Sequence, residues 1–142
     1  MVRAMKLPML APLALVLALV PACKKASYDF ETNSPATAGM AEIVMKVDKT
    51  GNGAMSLKFE HLAPPKKVDS SLSAYVVWMQ VDGKDPAKLG VLEYNAKKRS
   101  GSLDATYSAG QMKIIVTLEQ DPSTTAPVGA RVLDVDVSGP KG

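Results

Sequence analysis

The chain has 142 residues, 17 Lys and Arg against 14 Asp and Glu, one histidine and one cysteine. A single cysteine excludes an internal disulfide and every multi-cysteine zinc site, and a single histidine leaves a catalytic triad or histidine-based metal centre only one residue to be built around. Arg3 and Lys6 carry part of the basic excess, so residues 23–142 hold a formal charge of only +1, which argues against a nucleic-acid partner, for which a strong basic surplus is expected.

Arg3 and Lys6 precede an apolar run over residues 7–20 that ends in Val20-Pro21-Ala22-Cys23. A positive start, an apolar stretch of this length and a small residue before the cut mark an export signal. With a cysteine directly after it, the segment resembles the lipobox of bacterial lipoproteins. The resemblance implies that lipid is attached to the Cys23 thiol, that the peptide bond before it is cut, and that the new amino terminus is acylated; Pro21 is the one atypical letter. Two readings compete with it. An uncleaved transmembrane anchor needs about 20 apolar residues, and this run is shorter and carries Pro8, Pro12 and Pro21. An ordinary secretory signal would leave Cys23 an idle thiol.

Removal of residues 1–22 leaves 120, enough for one domain with a core of its own. The expected organisation is a signal at 1–22, lipidated Cys23 with a short tether to residue 27, a folded domain over 28–138 and a tail at 139–142. Lys24 stands where an aspartate would, by the enterobacterial sorting rule, retain a lipoprotein in the inner membrane. The expected location is therefore the cell envelope, lipid-anchored at the outer membrane and facing the periplasm.

From residue 28 onward the apolar residues recur with the period of strands. Tyr28-Asp29-Phe30-Glu31 alternates, and after a loop at 33–39 the set Ala41, Ile43, Met45 and Val47 opposes Glu42 and Lys46, the pattern of a half-buried strand. Thr50-Gly51-Asn52-Gly53 supplies a tight turn, and Met55, Leu57 and Phe59 complete a hairpin. Residues 74–81, apolar on both parities except Gln80, read as a strand covered on both faces, with Trp78 expected on a central strand between two sheets. Segments 89–94, 103–107, 112–118 and 130–137 follow, separated by turn signals. Eight candidate strands without a helical period after Cys23 predict an all-β, immunoglobulin-like antiparallel sandwich of seven to eight strands, with a small barrel as the alternative.

Candidate chemistry is sparse. His61 has no evident catalytic partner and reads as a rim residue packing through its ring. Asp48-Lys49-Thr50-Gly51-Asn52-Gly53 is similar to the start of a calcium loop, but its twelfth position is Phe59 where a glutamate is required. Asp134 and Asp136 share a face of the last strand; they read as edge charges or as a carboxylate pair able to hold a hard cation. Met40, Met45, Met55, Met79 and Met112 are spread over several strands and read as core filler ahead of a thioether copper site. No serine sits in Gly-x-Ser-x-Gly or Ser-x-x-Lys. No cofactor is expected.

Tyr75-Val76-Val77-Trp78, then Leu89-Gly90, then Ile115-Val116-Thr117-Leu118-Glu119 followed by Pro122 and Pro127, resemble the extracytoplasmic domain of anti-sigma-K factors. Those domains carry a Tyr-x-x-Trp strand, a strand with a small residue and glycine, and a Val-Thr-x-Glu strand before a proline-containing loop. The resemblance covers roughly residues 75–128 and implies a sandwich and an envelope location. Anti-sigma activity in that family belongs to a cytoplasmic helical domain joined through a transmembrane helix, neither of which is read in this sequence, so sigma-factor control is not implied.

The expectation is thus a non-enzymatic lipoprotein, held to a bilayer by acylated Cys23, that displays a sandwich as a binding or structural module. The competing expectation is a hydrolase or metal-binding protein using His61 or Asp134 and Asp136. If consecutive strands run antiparallel, Lys66, Lys67, Lys97, Lys98 and Arg99 gather in loops at the end away from the anchor, opposed only by Asp69 and Asp121. Such an end suits an anionic protein face or envelope polymer.

Overall fold

The computed structural model describes residues 24–33, 39–108 and 110–140; the expected signal and Cys23 lie outside them. The alternating residues of β1 (Lys24–Glu31), β2 (Met40–Val47) and β3 (Gly53–Glu60) form an antiparallel meander. A four-residue helix α1 (Pro65–Val68) leads into a second sheet through β4 (Ala74–Gln80) and β5 (Ala87–Val91). The chain crosses back as β6 (Glu93–Asn95) and β7 (Ser100–Tyr107), then returns as β8 (Gln111–Glu119) and β9 (Arg131–Ser138).

The five-stranded sheet has the order β1-β2-β3-β7-β6 and the four-stranded sheet β5-β4-β8-β9, with antiparallel pairing throughout. The two are separate sheets, which rules out the barrel alternative. Apart from β1, the orders β2-β3-β7-β6 and β5-β4-β8-β9 correspond to A-B-E-D and C′-C-F-G of immunoglobulin-like sandwiches. The interior is filled by Ile43, Met45, Leu57 and Phe59 from one sheet and Tyr75, Val77, Ile114 and Val116 from the other, all fully buried or nearly so. Among the described residues, no helix is long and apolar enough to cross a membrane.

Three expectations are corrected. Residues 24–27, expected as a tether, are strand: Lys24, Lys25, Ala26 and Ser27 pair in register with Val47, Lys46, Met45 and Val44. The reason is that β2 is eight residues long and its edge offers backbone partners along its whole length, while Ala26 continues the inward parity of Tyr28 and Phe30. The expected single strand at 89–94 is two strands in different sheets. Leu92 turns into the core, its N–H donating to Tyr75 O at 2.9 Å, and Gly101 makes room: a Cβ there would lie 2.4 Å from the Leu92 side chain. Finally, Trp78 is not between the sheets. Tyr75 and Val77 take the inward parity of β4, which turns Trp78 outward with Val76 to form a separate buried cluster with Ile115 on the outer face of the four-stranded sheet.

Candidate functional site: a basic loop cluster at one end of the sandwich

Strand direction divides the molecule into two ends. Lys24 starts β1 opposite Val47, so this end also holds the turns after β2, β4 and β7. The register pairs Phe59↔Gly101 and Ala74↔Glu119 carry the loops after β1, β3, β6 and β8 to the other, distal end.

The distal loops are joined by short polar contacts. Leu62 N–H donates to Arg99 O at 2.9 Å, and the Tyr94 hydroxyl donates to Leu62 O at 2.6 Å. The Tyr75 hydroxyl donates to Ala63 O at 2.5 Å, and the Ser73 hydroxyl to Gln120 O at 2.6 Å. Burial pushes the Tyr75 phenol far above its ordinary range, with Tyr94 adding to the effect. Burial also raises Tyr94, against the pull of the Arg99 guanidinium. Both rings therefore remain neutral donors.

The five basic residues lie at this end, on two segments joined by the Leu62–Arg99 backbone bond. Lys66 and Lys67 are exposed on α1, four and five residues beyond Leu62. Lys97, Lys98 and Arg99 are exposed in the β6–β7 turn, where Asn95 Oδ1 accepts the N–H groups of Lys97 and Lys98, each at 3.1 Å. Arg99 closes that turn in the left-handed region, at φ 51°. Among the described residues the ion pairs are Lys113–Asp134 and Arg131–Asp134, so none of the five is engaged in one. Of the acidic side chains at this end, Glu60 and Glu93 are exposed beside Lys98, while Asp69 and Asp121 are turned into their own loops. Asp69 Oδ1 accepts the hydroxyl and N–H of Ser71, and Asp121 Oδ1 those of Ser123. These bonds, the serine hydroxyl first in each case, hold both carboxyls below the ordinary range.

Beside this cluster lies a polar network that sequence reasoning missed. Trp78 Nε1–H donates to Thr117 Oγ1 at 2.9 Å, and the Thr117 hydroxyl donates to Glu119 Oε1 at 2.8 Å. Glu119 also accepts the N–H groups of Val128 and Gly129, at 2.9 and 3.0 Å. Thr117 is fully buried and Glu119 is 3 % exposed, yet the buried side-chain donors and acceptors of this network are all paired, as a low-dielectric site requires. The Lys88 ammonium donates to Pro122 O and Thr124 O. Because Lys88 lies opposite Trp78 in register, it draws the long β8–β9 loop over the outer face of the four-stranded sheet. Gly129 permits the close approach: a Cβ there would collide with Leu118 O at 1.6 Å. Between this loop and Leu72 and Leu118 is a cleft of about 390 Å³, rimmed by Gln120, Val128 and Ala130. The sequence signal for the network is the polar parity of Thr117 and Glu119, which matches that of Trp78.

The other candidates fall elsewhere. His61 is exposed in a left-handed turn at φ 58°, and Leu62 takes the inward place instead, so its ring is not packed at the rim. Asp48 Oδ1 accepts the Thr50 N–H and hydroxyl and the Asn52 N–H, a self-contained turn. Asp134 is taken by Lys113 at 3.2 Å and Arg131 at 2.5 Å. Burial opposes its ionisation, but these two partners outweigh burial and hold its carboxyl low. Among the described residues no group of three or more His, Cys, Asp or Glu is placed to hold a metal. Met45, Met55 and Met112 are core residues while Met40 is 44 % exposed. The chain matches no family model, no curated protein and no solved structure.

Proposed function

We propose that the protein is an envelope lipoprotein, anchored through acylated Cys23, whose sandwich is a non-enzymatic binding module with its receptive surface at the distal end. The observation that carries this reading is the gathering of Lys66, Lys67, Lys97, Lys98 and Arg99, without ion-pair partners among the described residues, at the end opposite the start of β1. Such a surface selects an anionic partner, an acidic protein face or an envelope polymer, and contacts on rigidly held loops are where recognition usually resides.

The test has two arms. Cys23→Ser releases the protein from the membrane fraction, because acyl chains at about 0.8 kcal/mol per buried CH₂ supply the attachment; a variant that stays in the detergent phase overturns the anchor. Replacing the five distal basic residues by glutamate removes partners from pull-downs of envelope extract at low salt, while moderate salt weakens the wild-type capture. Identical captures from both proteins overturn the binding surface.

A further inference from the structure

Lys25 of β1 and Lys46 of β2 are register partners on the outer face of the five-stranded sheet, and both are exposed. Like charges directly opposite each other destabilise a strand pair. No neighbour relieves them: Lys46 faces Ala54 on its other side, and neither lysine belongs to an ion pair among the described residues. Asp48, the nearest acid along β2, has Oδ1 committed to Thr50 and Asn52. Lys24 and Lys49 extend the same corner. Further along the same face acids predominate: Asp29 lies opposite Glu42, which has Lys58 on its other side, and Met40 is flanked by Glu31 and Glu60.

We infer that the β1–β2 corner is a contact for the anionic headgroups of the bilayer that holds the protein, and that this charge reversal keeps the domain upright. The inference rests on the anchor reading above. Because β1 begins at Lys24, the sheet starts at the residue that follows the proposed anchor in sequence. At about 3.3 Å per residue Lys25 stands roughly 3 Å from the start of β1 along the strand and Asp29 roughly 17 Å. Lys25 and Lys46 lie within the Debye length of about 8–10 Å at physiological salt, together with Asp48, and the Asp29–Glu42 pair lies beyond it. Tilting the domain onto this face would press Asp29, Glu31, Glu42 and Glu60 into anionic headgroups. At the same end the β4–β5 turn and the four-stranded sheet carry Asp82, Asp85 and Asp136 against Lys84 and Lys113, the latter paired with Asp134, so the contact is centred on the β1–β2 corner. An anionic surface supplies the counter-charge that the Lys25–Lys46 pair lacks.

The experiment uses the full lipidated chain in phosphatidylcholine vesicles with and without phosphatidylglycerol, labelled by a membrane-impermeant lysine acylating reagent and read by mass spectrometry. Lys24, Lys25, Lys46 and Lys49 are expected to react at least about threefold more slowly in the anionic vesicles, the ratio set by a typical leaflet surface potential, while Lys66, Lys67, Lys97 and Lys98 react equally in both. Lys46→Glu creates an opposite-charge pair with Lys25, so it raises the melting temperature and abolishes the protection of Lys25 in the same vesicles. Retention on vesicles with equal labelling of both lysine groups overturns this inference alone, and release from both kinds of vesicle overturns the anchor reading with it. A Lys46→Glu variant that melts below the wild type removes the like-charge argument.

Discussion

On the outer face of the five-stranded sheet, Lys25, Ser27, Asp29 and Glu31 of β1 and Glu42 and Lys46 of β2 are exposed, while on the outer face of the four-stranded sheet Val76, Trp78, Ile115 and Thr117 are fully buried. Both faces point away from the core, and both belong to antiparallel sheets of similar width. What differs is the connection alongside. The β8–β9 loop is long enough to fold back over its own sheet, held by Glu119 at one margin and Lys88 at the other. One sheet is thus solvated on its back and the other carries a second, thin layer of core. A polar residue on an outward parity is therefore not automatically a solvated one, because a loop with unsatisfied N–H groups can require it inside.

The largest expected break in this contrast comes from truncating the aromatic residue under the loop. Trp78→Ala should cost about 3–5 kcal/mol, whereas Val44→Ala, half-buried on the other outer face, should cost below about 1 kcal/mol; urea denaturation of the two variants measures both. Equal midpoints would mean that the two backs are alike. Glu119→Ala comes next. It leaves the Thr117 hydroxyl and the Val128 and Gly129 N–H groups unpaired, at a cost of about 2–4 kcal/mol, and Glu119→Gln, which keeps an acceptor oxygen, should recover part of it. Hydrogen exchange at Val128 and Gly129 is the sharper readout, and unchanged protection in the alanine variant would show that the loop is held by something other than the carboxylate.

The smallest effect is that of pH, and it acts at the margins rather than under the loop. Asp48, Asp69, Asp121 and Asp134 all have carboxyls held below the ordinary value in the folded state. A depressed folded-state pKa contributes stability that is present above the unfolded value of about 3.9 and is lost as pH falls through the folded one. Melting temperature should therefore stay nearly level from neutral pH to about 5 and decline below about 4. Asp134→Asn should flatten part of that decline, and salt should weaken the contribution of its two exposed partners. A decline beginning near neutrality would point to a different titrating group.

Much of this architecture was legible in the order of the residues. The alternation of Ile43 and Met45 with Glu42 and Lys46, closed by the turn at Gly51, yields the β2–β3 hairpin, and Gly51 does adopt a left-handed φ of 85°. Strict antiparallel succession also predicts that Lys66 and Lys97 share an end. What the pattern concealed has physical causes. Lys24 and Lys25 look like a tether because exposed strand positions can carry any polar residue. The change of sheet at Leu92 depends on space left by Gly101, nine residues away in sequence on the neighbouring strand. The parity of β4 is ambiguous when Tyr75, Val76, Val77 and Trp78 are all apolar, and only the pairing with β8 decides which two face the core. His61 escaped because a left-handed residue ends the alternation one place earlier than the apolar run suggests.

Strand β1 is joined to β2 along all eight of its residues, from Lys24↔Val47 to Glu31↔Met40. Antiparallel ladder bonds lie perpendicular to the strands. A pull on the amino-terminal end of β1, directed along its axis and away from the distal loops, meets those bonds side-on and loads them together instead of parting them one after another. If the distal loops hold a partner while Cys23 holds a membrane, tension between the two runs through this ladder in shear, the direction in which a sheet resists longest. With the anchor proposed above, the strand next to the attachment would also be the one that bears its load.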